Sequence, residues 1–252
     1  MRSGVLALAL SMLLPAATQA ALPQSALQKT RRIIETADYS VKGRLVRVQA
    51  NGKRTSYGVR IKAHWFPKAL RVLLEVNSPS EARVHLLLEM RPGEHDTILI
   101  AHPGDARPTE LPFDKWTEGP LGDGFSFEDF LDATYFWAGQ KDLGEVKFGV
   151  RQCDQLLSTP GEADRTHYSK IESWLVHESG FPVYVEKTLR GSGMVKEFTS
   201  FGLRRTEGVW SASQVEEKAR GHAGSSLFII DRGTAKAHLE LKDFSPTQLT
   251  RF

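Results

Sequence analysis

Eight histidines stand at positions 64, 85, 95, 102, 167, 177, 222 and 238, with one cysteine at 153. A zinc site would need ligands in close, characteristic spacings, and no such spacing occurs. Ser158, Ser169 and Ser192 are candidate nucleophiles, but none sits in a Gly-x-Ser-x-Gly elbow that would present it to a base. Glu128 and Asp129 are adjacent, so on a helix they point in different directions. Their place at the start of a helical stretch fits dipole complementation better than acid–base work. No phosphate-cradling glycine spacing is present. These residue types therefore predict no enzyme, no metal and no cofactor, and the chemistry left to the chain is that of its apolar surfaces.

The most concentrated apolar surface is Gly122-Asp-Gly-Phe-Ser-Phe-Glu-Asp-Phe-Leu131. Ser126 is placed to cap a helix, and Phe127, Phe130, Leu131, Thr134 and Phe136 or Trp137 form its apolar stripe. Such a helix must lie on something apolar. The candidate partners are strands whose residues alternate: Tyr57, Val59 and Ile61 share one side against Gly58, Arg60 and Lys62, and Leu70, Val72, Leu74 and Val76 oppose Arg71 and Glu75.

Those strands follow a short amphipathic helix opened by the capping-box pattern Ser25-Ala-Leu-Gln28 and carrying Leu27, Ile33 and Ile34. Strands are predicted at 41–49, 57–63, 70–76, 84–89 and 97–102, with Asn51-Gly52 as a hairpin turn and Arg91-Pro-Gly93 as another. Residues 103–120 hold four prolines and form a long connection that wraps the surface or moves. After the aromatic helix, strands are predicted at 146–157, 168–177, 182–189, 195–203, 209–215, 226–231 and 236–241. Roughly a dozen strands with two helices make a mainly β fold whose sheet must curl or close.

Residues 1–20 read as a secretory signal: Arg2, an apolar run over 5–14, and small residues before Ala20. The run is about half the roughly 20 residues a membrane span needs, so no stable membrane insertion is expected. The mature chain, 21–252, is expected to be a single soluble domain. Without Arg2 its charge is 32 − 30 = +2, from 33 basic and 30 acidic residues in the whole chain. Both signs are interleaved, which excludes the basic patch of a nucleic-acid binder. The lone Cys153 has no partner for an internal disulfide, so stability must come from the core.

Several segments together resemble the outer-membrane lipoprotein-sorting protein family, relatives of the periplasmic lipoprotein carrier LolA. They are Tyr39-Ser-Val-Lys-Gly-Arg44, Leu121-Gly-Asp-Gly-Phe-Ser-Phe-Glu-Asp-Phe130, Tyr168-Ser-Lys-Ile-Glu-Ser-Trp174 before Gly180-Phe-Pro182, Gly208-Val-Trp210, and Leu241-Lys-Asp-Phe-Ser-Pro-Thr-Gln-Leu249. The central Phe-Ser-Phe-Glu-Asp run is the most specific. The resemblance implies an open, incomplete antiparallel β-barrel covered by two or three helices, monomeric and periplasmic, with a hydrophobic cavity for acyl chains and no catalysis. The expected wall is Tyr57, Val59, Ile61, Leu70, Val72, Leu74, Leu86 and Ile98, with Phe127, Phe130 and Trp137 on the covering helix. The expected partners are acyl chains of a lipoprotein or lipid and an inner-membrane exporter. The alternative is an envelope adaptor of such an exporter that carries nothing.

Overall fold

The computed structural model describes residues 25–119 and 124–252, so the signal segment expected at 1–20 lies outside the described residues, as does part of the 121–130 motif. One helix, α1 (Ala26–Glu35), opens the chain, with Ser25 and Gln28 exchanging the hydrogen bonds of a capping box. A first meander follows: β1 (Asp38–Val48), β2 (Arg54–Phe66), β3 (Ala69–Ser78), β4 (Val84–Met90), β5 (Thr97–Ala101) and the short β6 (Thr109–Glu110). The second half contributes β7 (Gly139–Phe148), β8 (Arg151–Thr159), β9 (Tyr168–Val176), β10 (Pro182–Leu189), β11 (Val195–Phe201), β14 (Gln214–Ala219) and β15 (Ser225–Thr234). A separate hairpin, β12 (Arg204–Thr206) with β13 (Val209–Ser211), sits between β11 and β14.

All thirteen strands of the main sheet pair antiparallel in the order β6-β5-β4-β3-β2-β1-β15-β14-β11-β10-β9-β8-β7. The first and last long strands are thus neighbours at the centre, and they meet closely. A Cβ at Gly43 would lie 2.1 Å from the Ile229 carbonyl oxygen, which is why glycine occupies the bulge where the β1–β15 register shifts. The sheet does not close, and β6 and β7 remain its edges. It nonetheless curves around one interior, because Leu156 of β8 and Leu175 of β9 join the same apolar cluster as Leu45, Ile61, Leu74 and Leu86.

Four expectations are corrected. The predicted strand 146–157 is a hairpin, β7 and β8, turning at Gly149 with φ +58°. The predicted strand 209–215 is divided between β13 and β14. Residues 236–241 form no strand, because Asp38 accepts hydrogen bonds from the His238 and Leu239 amides and draws the chain out of the ladder. The cover of two or three helices is replaced by two 3₁₀ turns, Phe127–Phe130 and Ala133–Phe136, with Leu131 extended between them. Aromatic residues crowd this segment, giving it weak helical propensity. Among the described residues, α1 is the one helix longer than a single turn.

The proline-rich connection, described over 103–119, runs largely exposed over the surface but turns Leu111 and Trp116 inward. Trp116 is fully buried, donating from its indole nitrogen to the Leu111 carbonyl at 3.1 Å, and the Leu111 amide bonds Ile98 at 2.7 Å. On the convex face the C-terminal stretch covers β3 and β4: Leu73 and Leu87 pack with Phe244 and Leu249, and His85 bonds the Leu249 carbonyl at 3.0 Å.

Candidate functional site

A cavity of about 400 Å³ lies between α1, the middle of the sheet and the two 3₁₀ turns. From α1 it takes Ile33 and Ile34, and from β1–β3 it takes Tyr39, Val41, Ile61 and Val72. Phe125, Phe130, Leu131 and Tyr135 form the covering side, while Val185, Phe198, Val215 and Phe228 close the wall opposite. The β12–β13 hairpin contributes Arg204 and Trp210. Its size falls in the range of small-ligand sites, roughly 300–1,000 Å³. A larger recess of about 730 Å³ is lined by Arg47, Glu118, Lys196, Glu217 and His222. Its wall includes Gly119 and Gly124, on either side of the undescribed residues, and its charged lining does not suit an apolar guest.

α1 is held over the cavity by three polar bonds to the surrounding chain. The Thr30 hydroxyl donates to the Gly180 carbonyl at 2.7 Å, Lys29 Nζ to the His177 carbonyl at 2.6 Å, and Arg31 Nε to the Tyr135 carbonyl at 2.7 Å. Gly180 adopts φ +73°, and a Cβ there would come within 2.6 Å of Lys29 Cβ. Helix and turn can approach this closely only because the residue is glycine.

Beneath the first 3₁₀ turn lies a buried ionic cluster. The Asp129 side chain is fully buried and binds Lys187 Nζ at 3.0 Å and Lys196 Nζ. It also accepts from the Tyr168 hydroxyl at 2.6 Å and from the Ser126 amide and hydroxyl, each at 2.8 Å. Lys196 reaches the Gly124 carbonyl at 2.7 Å and Glu217 at 4.0 Å. Burial by itself pushes the Asp129 carboxyl up, but the two ammonium groups and the donated hydrogen bonds prevail and hold it well below the usual carboxylate range. The neighbouring Glu128 accepts from the His167 amide at 3.0 Å and also bonds the Thr166 hydroxyl and the His167 ring. The turn is therefore pinned to β9, β10 and β11 by its two carboxylates.

Asp132, between the two turns, is different. Its surface is accessible, yet surrounding protein desolvates it and raises its pKa, with Lys187 opposing. Asp132 thus stands on the wall of the cavity while remaining exposed. Tyr39 and Tyr135 line the same space, and burial pushes the pKa of both hydroxyls up.

Of the residues expected to form the wall, Ile61, Val72 and Phe130 line the cavity. Val59, Leu70, Leu74, Leu86, Ile98 and Phe127 are buried in the main apolar cluster with Trp116, and Tyr57 packs against it. Trp137 lies in a different cluster, with Tyr168 and Ile171. The first meander is thus a filled core, and the open space sits nearer the β1–β15 seam. Lys187, Lys196 and Asp132 were not expected from the sequence. Lys187 has a legible signal: it shares strand parity with Val183 and Val185, which places its ammonium on the inner face.

The fold is that of the outer-membrane lipoprotein-sorting and LolA-superfamily structures. A crystal structure from Vibrio parahaemolyticus, described as an outer membrane lipoprotein-sorting protein domain, superposes with TM-score 0.80 at 18% identity, covering 90% of this chain and 97% of that one. A DUF1329 family protein from Desulfovibrio piger matches with TM-score 0.78 at 14% identity, over 89% and 97% of the two chains. A LolA superfamily protein from Nitrosomonas europaea gives 0.64 at 14% identity, over 87% and 99%. The family resemblance read from the sequence is thereby borne out as a likeness of fold. A protein-family model described as "Uncharacterized protein" matches residues 68–251, and the chain belongs to that family. No curated protein matches in sequence.

Proposed function

We propose that this protein is an exported, periplasmic carrier that shelters an acyl chain of a lipid or lipoprotein in the cavity under α1 and moves it across an aqueous space toward the outer membrane. The observation that carries this reading is the cavity itself, about 400 Å³ with aliphatic and aromatic walls in the interior of the sheet. Each methylene hidden from water contributes about 0.8 kcal/mol, so a chain of a dozen carbons gains roughly 10 kcal/mol by leaving water for such a wall. The largely aliphatic and aromatic lining supports binding as the cavity's use. A non-carrying adaptor would be expected to have a filled interior, and the open cavity supports the carrier reading over it. Among the described residues no helix is long and apolar enough to cross a membrane. The unit proposed to act is a single domain from 21 to 252.

The test is mass spectrometry of organic extracts from purified mature protein, paired with uptake of a neutral apolar fluorophore. A co-purifying amphiphile or saturable uptake is expected. Neither bound lipid nor uptake would leave the adaptor as the better reading.

A further inference from the structure

Most buried polar side chains on the cavity wall are matched within the protein. The Thr30 hydroxyl donates to the Gly180 carbonyl at 2.7 Å, the Tyr135 hydroxyl to Ser173 Oγ at 3.4 Å, and Lys187 Nζ to Asp129 at 3.0 Å. Asp132 and Arg204 are exposed, so water serves them. The Thr134 hydroxyl is the exception. Thr134 lies on the same wall and is only 6% exposed, and its Oγ1 has no hydrogen-bond partner among the described residues.

A threonine in a helical turn usually bends its hydroxyl back to the carbonyl three or four residues before it. Here those positions are Leu131 and Phe130, and Leu131 is extended at φ −97° and ψ 123°, which interrupts the helical path between the two 3₁₀ turns. The backbone at Thr134 is satisfied, its carbonyl accepting from Gln140 Nε2 at 2.9 Å. Only the hydroxyl is idle, and stranding a hydroxyl inside a protein lowers stability. A valine would fill the same space without that cost, so the hydroxyl calls for a partner that enters from outside.

An enclosed hydroxyl in apolar surroundings is best matched by an acceptor that brings no proton and no charge of its own. A carbonyl meets both conditions. An amine head would carry further donors into the cavity, and a carboxylate would bring a charge whose buried counterion on this wall, Lys187, is already held by Asp129.

We infer that the cavity takes an acyl ester and holds its carbonyl through the Thr134 hydroxyl, so that esters are preferred to alkyl chains lacking a carbonyl. This rests on the carrier reading and specifies the linkage of its guest.

The experiment displaces the fluorophore N-phenyl-1-naphthylamine from purified mature protein at pH 7 with methyl decanoate and with decyl methyl ether, two chains of equal length that differ by the carbonyl. The native protein is expected to bind the ester about three- to tenfold more tightly, the effect of one added neutral hydrogen bond. Thr134→Val is expected to keep fluorophore uptake, to bind the two within about twofold of each other, and to melt no lower than the native protein, because a stranded hydroxyl is gone. Thr134→Ser is expected to keep the preference. Three results would overturn the inference and leave the carrier intact: equal binding of ester and ether by the native protein, a preference that survives in Thr134→Val, or a melting temperature that falls by more than about 2 °C in that variant, which would give the hydroxyl a partner inside the protein. No uptake of the fluorophore by the native protein would overturn the carrier reading and this inference with it.

Discussion

Replacing Asp129 with asparagine removes one negative charge from a cluster that has no solvent to compensate it. The native carboxylate faces Lys187 and Lys196, whose side chains are 11% and 7% exposed, and Glu217 stands 4.0 Å from Lys196. In Asp129→Asn the buried Lys187 ammonium loses its carboxylate, Lys196 loses the nearer of its two, and the amide nitrogen now opposes the donors of Ser126 or Tyr168. Breaking a buried pair from one side costs about 3–5 kcal/mol, since the remaining charge is stranded. For a chain of this size each kcal/mol lowers the melting temperature by about 2–4 °C, so a fall of roughly 6–20 °C is expected. Urea denaturation at pH 7, followed by tryptophan fluorescence, should show a lower midpoint at unchanged slope. pH separates the cause. Because the folded carboxyl is held below its unfolded value, its contribution is present above about pH 4 and fades as pH falls through the folded value. The gap between native and variant proteins should therefore narrow in acid. A loss below about 1 kcal/mol at pH 7, or a gap independent of pH, would refute this account of the cluster.

Three further substitutions separate core from cavity. Leu74→Ala should cost about 2–5 kcal/mol by chemical denaturation and leave fluorophore uptake unchanged, because Leu74 is fully buried away from the cavity wall. Val72→Trp, from the cavity wall itself, should fill the space and abolish uptake, with a far-UV circular dichroism spectrum like the native one. Gly180→Ala combines a positive φ with a clash against Lys29; it should lower stability by more than about 1 kcal/mol and expose the α1 amides to hydrogen exchange before those of the sheet.

Much of the first meander is legible in the residues themselves. The Asn51-Gly52 turn, with Gly52 at φ +81°, fixes the β1–β2 register, and alternation in β2 and β3, broken only at Leu73, sends Val59, Ile61, Val72 and Leu74 to one interior. The described part of the 121–130 motif, from Gly124 on, forms a 3₁₀ turn where the sequence reads as a helix, and it sets Phe125 and Phe130 on the cavity wall. Its local signals, Ser126 and Asp129, are those of a helix start, but Asp129 is used three strands away, by Lys187 and Lys196. Such long-range pairing leaves no mark in local spacing. The same holds for the filling of the wall: nothing near Trp116 announces that a proline-rich connection will turn inward and occupy the space before Leu86 and Ile98.

The most direct test of the central claim is photo-crosslinking with a diazirine-bearing fatty alcohol, the adducts mapped by peptide mass spectrometry. Adducts on the cavity wall, at Ile61, Val72, Phe130 and Phe228, and their loss in Val72→Trp, are predicted. Adducts confined to exposed apolar residues such as Val150 and Phe201, unaffected by Val72→Trp, would contradict it.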